Sequence, residues 1–389
     1  MRILFILVAV LIAYGSVYPF TVDLEAADAA EWQRFFASWR GSSGLGDTLG
    51  NIALFVPFGY FGLAALQPRL YGGRPALGAV LAVIALGVIE GVGLQVAQIF
   101  LPDRVPRLTD AIWNTLGLVI GLGLALVPAL RPRHHSLSGG VPVPLLLVGL
   151  WIAYRLAPFV PSLDVQNVKD SLKPLLLTPF PINWLSAAHG AAGWLSCGAL
   201  WQGARAQVGP LFAATAMMVV FATEVLVVDN VVTSADAIGA AAALGAWVVL
   251  VRCRARPASV AALVLGAYVL VAGLAPFELR PGPVAFEWLP FRGFLSGSML
   301  ANVSSLLEKL FNYGALIWLL GVAGGSVGRV PFAVSVAAVV GLTAGLEAAQ
   351  TLIVGRTPEI TDPLLALLIG VAVRLWRGPL RRAGPLPSA

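Results

Sequence analysis

The sequence predicts an all-α polytopic membrane protein, about twelve transmembrane helices arranged as three parallel four-helix repeats. Three observations carry that expectation. Apolar residues make up 58% of the chain and charged residues 11%, whereas soluble domains average roughly 45–50% and about 25%. Apolar stretches of about 17–25 residues, long enough to span a bilayer as a helix, recur from one end to the other. Polar positions return with a fixed period of 126 residues: Gln98, Glu224 and Gln350; Arg104, Asn230 and Arg356; Asp110, Asp236 and Asp362. Self-similarity at a fixed period marks a repeated supersecondary unit.

The expected units are 1–135, 136–256 and 257–389. Spans fall at 3–20, 50–66, 76–100 and 111–130 in the first unit, and at 142–160, 184–201, 210–228 and 237–252 in the second. The third has 258–275, 306–323, 331–353 and 363–376. Four spans is an even number, so consecutive units enter the membrane in the same direction, unlike inverted repeats. The opening apolar run resembles a secretory signal, but it ends in Tyr18-Pro19-Phe20 in place of a small-residue cleavage site. Pro158-Phe159 and Pro276-Phe277 end the corresponding internal runs, so the first span is expected to be retained as part of the repeated unit.

Orientation follows from the connections. Arg2, Arg69, Arg74, Arg131, Arg133, Arg205, Arg252, Arg254, Arg256, Arg329, Arg374, Arg377, Arg381 and Arg382 fall on one side, and none of the 19 acidic residues does. The positive-inside rule makes that side the cytoplasm and places both termini there, in a bacterial inner membrane. The net charge of +6 is explained by this asymmetry, and no aromatic-basic module points to nucleic acid. Cys197 and Cys253 lack metal-ligand spacing and read as packing residues. No cofactor is expected.

On the opposite side, Trp32, Phe35, Phe36 and Trp39 recur at helical spacing, with an aromatic counterpart near 284–299. This is the pattern of a helix lying in the membrane interface, read as an anchor or, alternatively, as a lid over a cavity. The periodic polar residues gather at the same end. Gln98, Arg104 and Asp110, like Gln350, Arg356 and Asp362, are expected to meet across a hairpin, with each aspartate capping the last span and paired to its arginine. The sharper reading makes each arginine a receptor for phosphate or carboxylate.

Glu90 lies about 15 Å from the end of its span at 1.5 Å per residue. Glu224 and Glu347 lie nearer the surface. Acids at such depth cost at least about 2.5 kcal/mol and are functional candidates, the alternative being a protonated acid bonded between helices. In the middle unit Glu224 replaces glutamine and Asn230 replaces arginine, while Asp236 stays. That unit is read as a structural spacer; the alternative is that its acids serve the arginines of its neighbours.

The string Asn51-Ile-Ala-Leu-Phe55-Val-Pro57-Phe-Gly59, followed by Gln98, Arg104, Asp110, Asn114 and Gly117, resembles the VanZ-like family. The third unit adds Glu347 and Gln350, Arg356 and Asp362, and a variant second span with Glu308, Lys309, Asn312 and Tyr313. The first unit departs at Gln95, where the family usually has glutamate, and the third at Ala366, where asparagine is expected. The resemblance implies a setting in the bacterial envelope related to glycopeptide antibiotic resistance, and no particular reaction. The expected function is binding of an anionic lipid or lipid-linked glycan at an outward-facing site. Gln98, Arg104, Asp110, Asn114, Glu347, Gln350, Arg356 and Asp362 are its candidates, and Asn51, Glu90, Glu224, Asp236, Lys309 and Asn312 are secondary. An enzyme using Asp110, Asp362 or Glu347 lacks a convincing nucleophile–base pair, since the histidines are His134, His135 and His189. A proton-linked carrier or flippase titrating Glu90, Glu224 and Glu347 is the remaining alternative.

Overall fold

The computed structural model describes residues 1–41, 44–66, 75–127, 142–204, 208–253, 256–295, 299–323 and 332–377. Most of the arginines that orient the sequence, Arg69, Arg74, Arg131, Arg133, Arg205, Arg254, Arg329, Arg381 and Arg382, lie outside these residues, as do His134 and His135. Two compact units are formed: Met1–Val141 with Leu375–Ala389, and Pro142–Arg374. The second therefore contains most of both the middle and the third of the sequence units.

Each of the twelve apolar stretches falls on a helix. Among the described residues seven segments are long and apolar enough to cross a membrane: Gly46–Leu66, Leu77–Gln98, Leu108–Leu126, Ser234–Arg252, Pro257–Leu274, Asn302–Ala323 and Phe332–Gln350. Arg2–Val17, Val143–Leu156 and Pro210–Glu224 are apolar but shorter. The protein is a multi-pass helical membrane protein.

In the first unit, α1 (Arg2–Val17) leads to a short amphipathic helix α2 (Ala29–Ala37) and a single 3-10 turn (Ser38–Arg40). The bundle continues with α3 (Leu45–Leu66), α4 (Leu77–Gln98) and α5 (Leu108–Leu126). Its core is Ile12, Phe55, Phe58, Leu63, Val83, Leu118 and Leu122. Helices α3 and α5 approach backbone to backbone. A Cβ at Gly117 would lie 2.2 Å from the Ile52 carbonyl oxygen, and one at Gly59 would lie 2.2 Å from that of Leu118. Where lipid replaces water, such close contact is what holds helices together.

The second unit begins with α6 (Val143–Leu156), α7 (Val165–Leu176), α8 (Trp184–Ala204), α9 (Pro210–Glu224) and α10 (Ser234–Arg252). It continues with α11 (Pro257–Leu274), α12 (Arg292–Leu295), α13 (Met299–Ala323), α14 (Phe332–Gln350) and α15 (Thr361–Arg377). Helices α6 and α8 pack on α13 and α11. The fully buried Trp151 of α6 lies over Gly193 of α8 and 4.9 Å from the Phe311 ring of α13.

One loop arrangement appears three times. The Xaa–Pro bond is cis at Tyr18-Pro19, Ala157-Pro158 and Ala275-Pro276. The chain then bonds to the hairpin between the unit's last two spans: Asp23 N–H donates to Phe100 O at 2.9 Å, Ser162 N–H to Leu226 O at 2.7 Å, and Arg280 N–H to Leu352 O at 2.9 Å. The three acceptors stand 126 residues apart. At this loop end α1, α6 and α11 finish beside the ends of α4, α9 and α14, so periodic polar residues come close to the first helix of their own unit.

Candidate functional site

The arginines do not meet the aspartates. Arg104 donates from Nε to Tyr18 O at 2.7 Å and from a terminal nitrogen to Gly15 O at 3.0 Å, while Gln98 donates to Ser16 O at 2.8 Å. Arg356 repeats this on Ala275 O at 2.8 Å and Ala272 O at 2.5 Å, and Gln350 on Gly273 O at 2.9 Å. Both groups satisfy the carbonyls left over at the C-termini of α1 and α11, where a helix dipole favours a cation. Burial lowers the proton affinity of Arg104, and Tyr18 and Asp103 act in the opposite direction. Asp110 and Asp362 occupy the first turns of α5 and α15 rather than capping them; the residue preceding α5 is Arg107, which makes no side-chain cap. Asp236 does take part in a cap, a reciprocal box with Thr233.

The middle unit moves its cation instead of losing it. Arg155, near the end of α6, bonds Glu224 through Nε and through a second nitrogen at 2.8 Å, and Asp236 at 2.6 Å. Asn230 then donates to the Arg155 carbonyl at 2.9 Å, replacing the capping glutamine seen in the other two units. Glu224 and Asp236 are thus committed within their own unit, where the sequence suggested a spacer or a donor of acids to Arg104 and Arg356. Arg155 is a functional candidate that the sequence reading missed. The signal was present, because an arginine inside an apolar span is costly unless partnered.

The third unit brings two of its candidates, Lys309 and Asp362, together. Lys309 Nζ lies 2.5 Å from one Asp362 oxygen, and the Tyr313 hydroxyl donates to the other at 2.6 Å. Glu347 accepts the Glu359 backbone N–H at 2.8 Å, just as Gln95 accepts that of Arg107 at 2.9 Å in the first unit. The Gln95 departure is therefore conservative in geometry, since an amide oxygen takes the same bond as a carboxylate. Asn312 is buried beside Glu308 and His189. His189 and Tyr268 are further residues that no motif singled out.

In the first unit Asn114 is buried and Asn51 half-buried. Glu90 is half-buried on α4, one of its oxygens without a hydrogen-bond partner among the described residues. A cavity of about 400 Å³ lies between the 3-10 turn after α2 and the start of α5, lined by Trp39, Arg40, Thr48, Thr109, Ile112 and Trp113. The Arg40 guanidinium lies 4.3 Å above the Trp39 ring and forms no ion pair among the described residues. Thr109 is 7% exposed, and its hydroxyl has no hydrogen-bond partner there. The equivalent Thr361 hydroxyl accepts the Phe291 N–H at 2.7 Å, so the first unit leaves open what the third fills from its own loop.

Residues 2–129 match the VanZ/LLP1 family. This stretch is VanZ-like. No curated protein and no solved structure matches the chain. Within the VanZ-like stretch the polar motif has a structural account: Gly59 and Gly117 admit the close crossing of α3 and α5, Phe55 fills the core beneath it, and Gln98 and Arg104 finish α1. The cavity opens beside this scaffold, with one wall supplied by the aromatic segment that precedes α3. Trp39 lines it while Phe36 is exposed, so the segment both covers the cavity and offers an apolar surface.

Proposed function

We propose that this VanZ-like protein lies in the bacterial cytoplasmic membrane with both termini inside, and binds the anionic headgroup of a lipid or lipid-linked glycan in the cavity at the start of α5. The observation that carries the reading is the buried, unpartnered Thr109 hydroxyl facing the same cavity as Arg40. A phosphate there accepts from the threonine hydroxyl and the guanidinium, and the amino end of α5 adds its dipole. Trp39 and Trp113 supply the amphipathic walls that suit a headgroup at a membrane boundary. Arg104 and Arg356 hold the scaffold in this reading, because their donors are engaged by helix carbonyls.

The test is lipid retention. Wild-type protein and an Arg40→Ala/Thr109→Val variant are purified into nanodiscs of mixed phosphatidylglycerol and phosphatidylcholine, and the lipid released on denaturation is quantified by mass spectrometry. Preferential retention of the anionic lipid by wild type, reduced about tenfold in the variant, is expected for the loss of one charged and one neutral hydrogen bond. Equal retention by both proteins removes the cavity as the binding site.

A further inference from the structure

The second unit holds a histidine–carboxylate pair, the histidine buried and the carboxylate half-buried, that the proposed headgroup site does not use. His189 lies on α8 with its side chain 9% exposed, its Nε2 3.5 Å from Oε1 of Glu308 on α13. The ring stacks on Tyr268 of α11 at 4.6 Å and 11°, and meets the edges of Trp151 and Tyr154 of α6 at 5.2 Å and 5.3 Å. The Tyr268 hydroxyl donates to the same Glu308 oxygen at 3.4 Å. Three helices therefore orient one imidazole nitrogen toward one carboxylate oxygen.

The other acids of this unit's buried end have partners. Glu224 and Asp236 share Arg155, Asp362 has Lys309, and Glu347 accepts a backbone N–H. Among the described residues Glu308 makes no ion pair with lysine or arginine; the basic group within 4 Å of it is His189, and Lys309 acts on it from farther away. The Nε2 atom is buried without a hydrogen-bond partner. A neutral imidazole and an ionised carboxylate in apolar surroundings leave one negative charge uncompensated, which is costly. Adding one proton to the pair removes that charge.

We propose that the His189–Glu308 pair, held between α8, α11 and α13, is a proton-binding site. A proton from water joins the Nε2 lone pair and no heavy-atom bond changes; the pair goes from a net charge of minus one to zero, and release reverses the step. Glu308, with 29% of its side chain exposed, is the more accessible partner and passes the proton inward. The surroundings oppose one another. Arg155, Asp236 and the Asn312 amide face His189, and Lys309, Asp362 and the same Asn312 face Glu308. Arg356 lies beyond Tyr268, Tyr154 flanks the imidazole, and Glu347 lies beyond Tyr313. The site adds proton linkage to a protein for which the headgroup reading by itself needs none.

The experiment uses the full chain carrying His134→Ala and His135→Ala, which leaves His189 the single histidine of the original three. Its ring carbons, isotopically labelled, are followed by NMR in nanodiscs as pH is varied. A one-proton titration between about pH 4 and 9 is expected. Glu308→Gln should raise the acid dissociation constant at least about tenfold by removing the adjacent carboxylate. Tyr268→Phe preserves the stacked ring, removes a hydrogen bond to the carboxylate, and should lower the constant by about threefold; it decides the matter if Glu308→Gln does not fold. Resonances that stay fixed from about pH 4 to 9, or a constant indifferent to the partner that folds, overturn the proposal.

Discussion

Arg155 grips both carboxylate oxygens of Glu224 across α6 and α9, where the two other units set Gln98 or Gln350 against a helix carbonyl. The position that carries Arg155 is Ser16 in the first unit and Gly273 in the third, and in those units the cation stands on the hairpin as Arg104 or Arg356. Each unit sets a guanidinium at the end of its first helix, although its place in the chain changes. It serves a different purpose in each location, ion pairing in the middle unit and helix capping in the others.

Breaking this pair from one side should be far worse than removing it. Arg155→Met leaves Glu224 and Asp236 facing each other in an apolar bundle, with an expected loss of about 3–5 kcal/mol. The triple variant Arg155→Met/Glu224→Leu/Asp236→Asn should recover most of that loss. Thermal unfolding in detergent measures both. Equal destabilisation by the single and triple variants would show that the pair contributes through packing alone.

Arg104→Ala and Arg356→Ala should each destabilise the fold by roughly 2–4 kcal/mol, since each removes two charge-assisted bonds to carbonyls. The lipid retained per folded molecule should not change. Arg104→Lys should recover little, because an ammonium lacks the planar fork that reaches both Gly15 and Tyr18. Melting temperature and lipid content, measured on the same preparations, separate a capping role from a receptor role.

Gly117→Ala should prevent tight crossing of α3 and α5, because its Cβ would sit 2.2 Å from the Ile52 carbonyl. A backbone neighbour cannot rotate away, so a cost of at least about 1–3 kcal/mol and poor membrane accumulation are expected. Gly123→Ala is the internal control on the same helix, with nothing within 4 Å of the added carbon. Fluorescence-detected size exclusion of the two variants should show a reduced folded peak for the first and a normal one for the second.

Composition and span length made the helical membrane class legible, and the period of 126 residues marked the positions that recur in the loops. The motif residues were legible as a group, although their pairing was not. Arg104 and Asp110 are close in sequence and opposite in charge, which suggested a pair; folding places Arg104 against α1, more than eighty residues earlier, where unsatisfied carbonyls compete for it. His189, Tyr268 and Glu308 carry no shared spacing, because they come from three helices whose contact is set by packing.

What the sequence by itself determined is the class of solvent each segment needs. Hydrophobicity is additive along the chain, so spans and polar ends can be read residue by residue. Only the tertiary structure decided which donor serves which acceptor. Hydrogen bonds and ion pairs depend on distance and angle at the scale of an ångström, and these follow from how helices cross rather than from how far apart residues stand in the chain. That is why Arg104 and Arg356 were visible as charges from the start, while their role as helix caps and the buried ion pair of Arg155 in the middle unit were not.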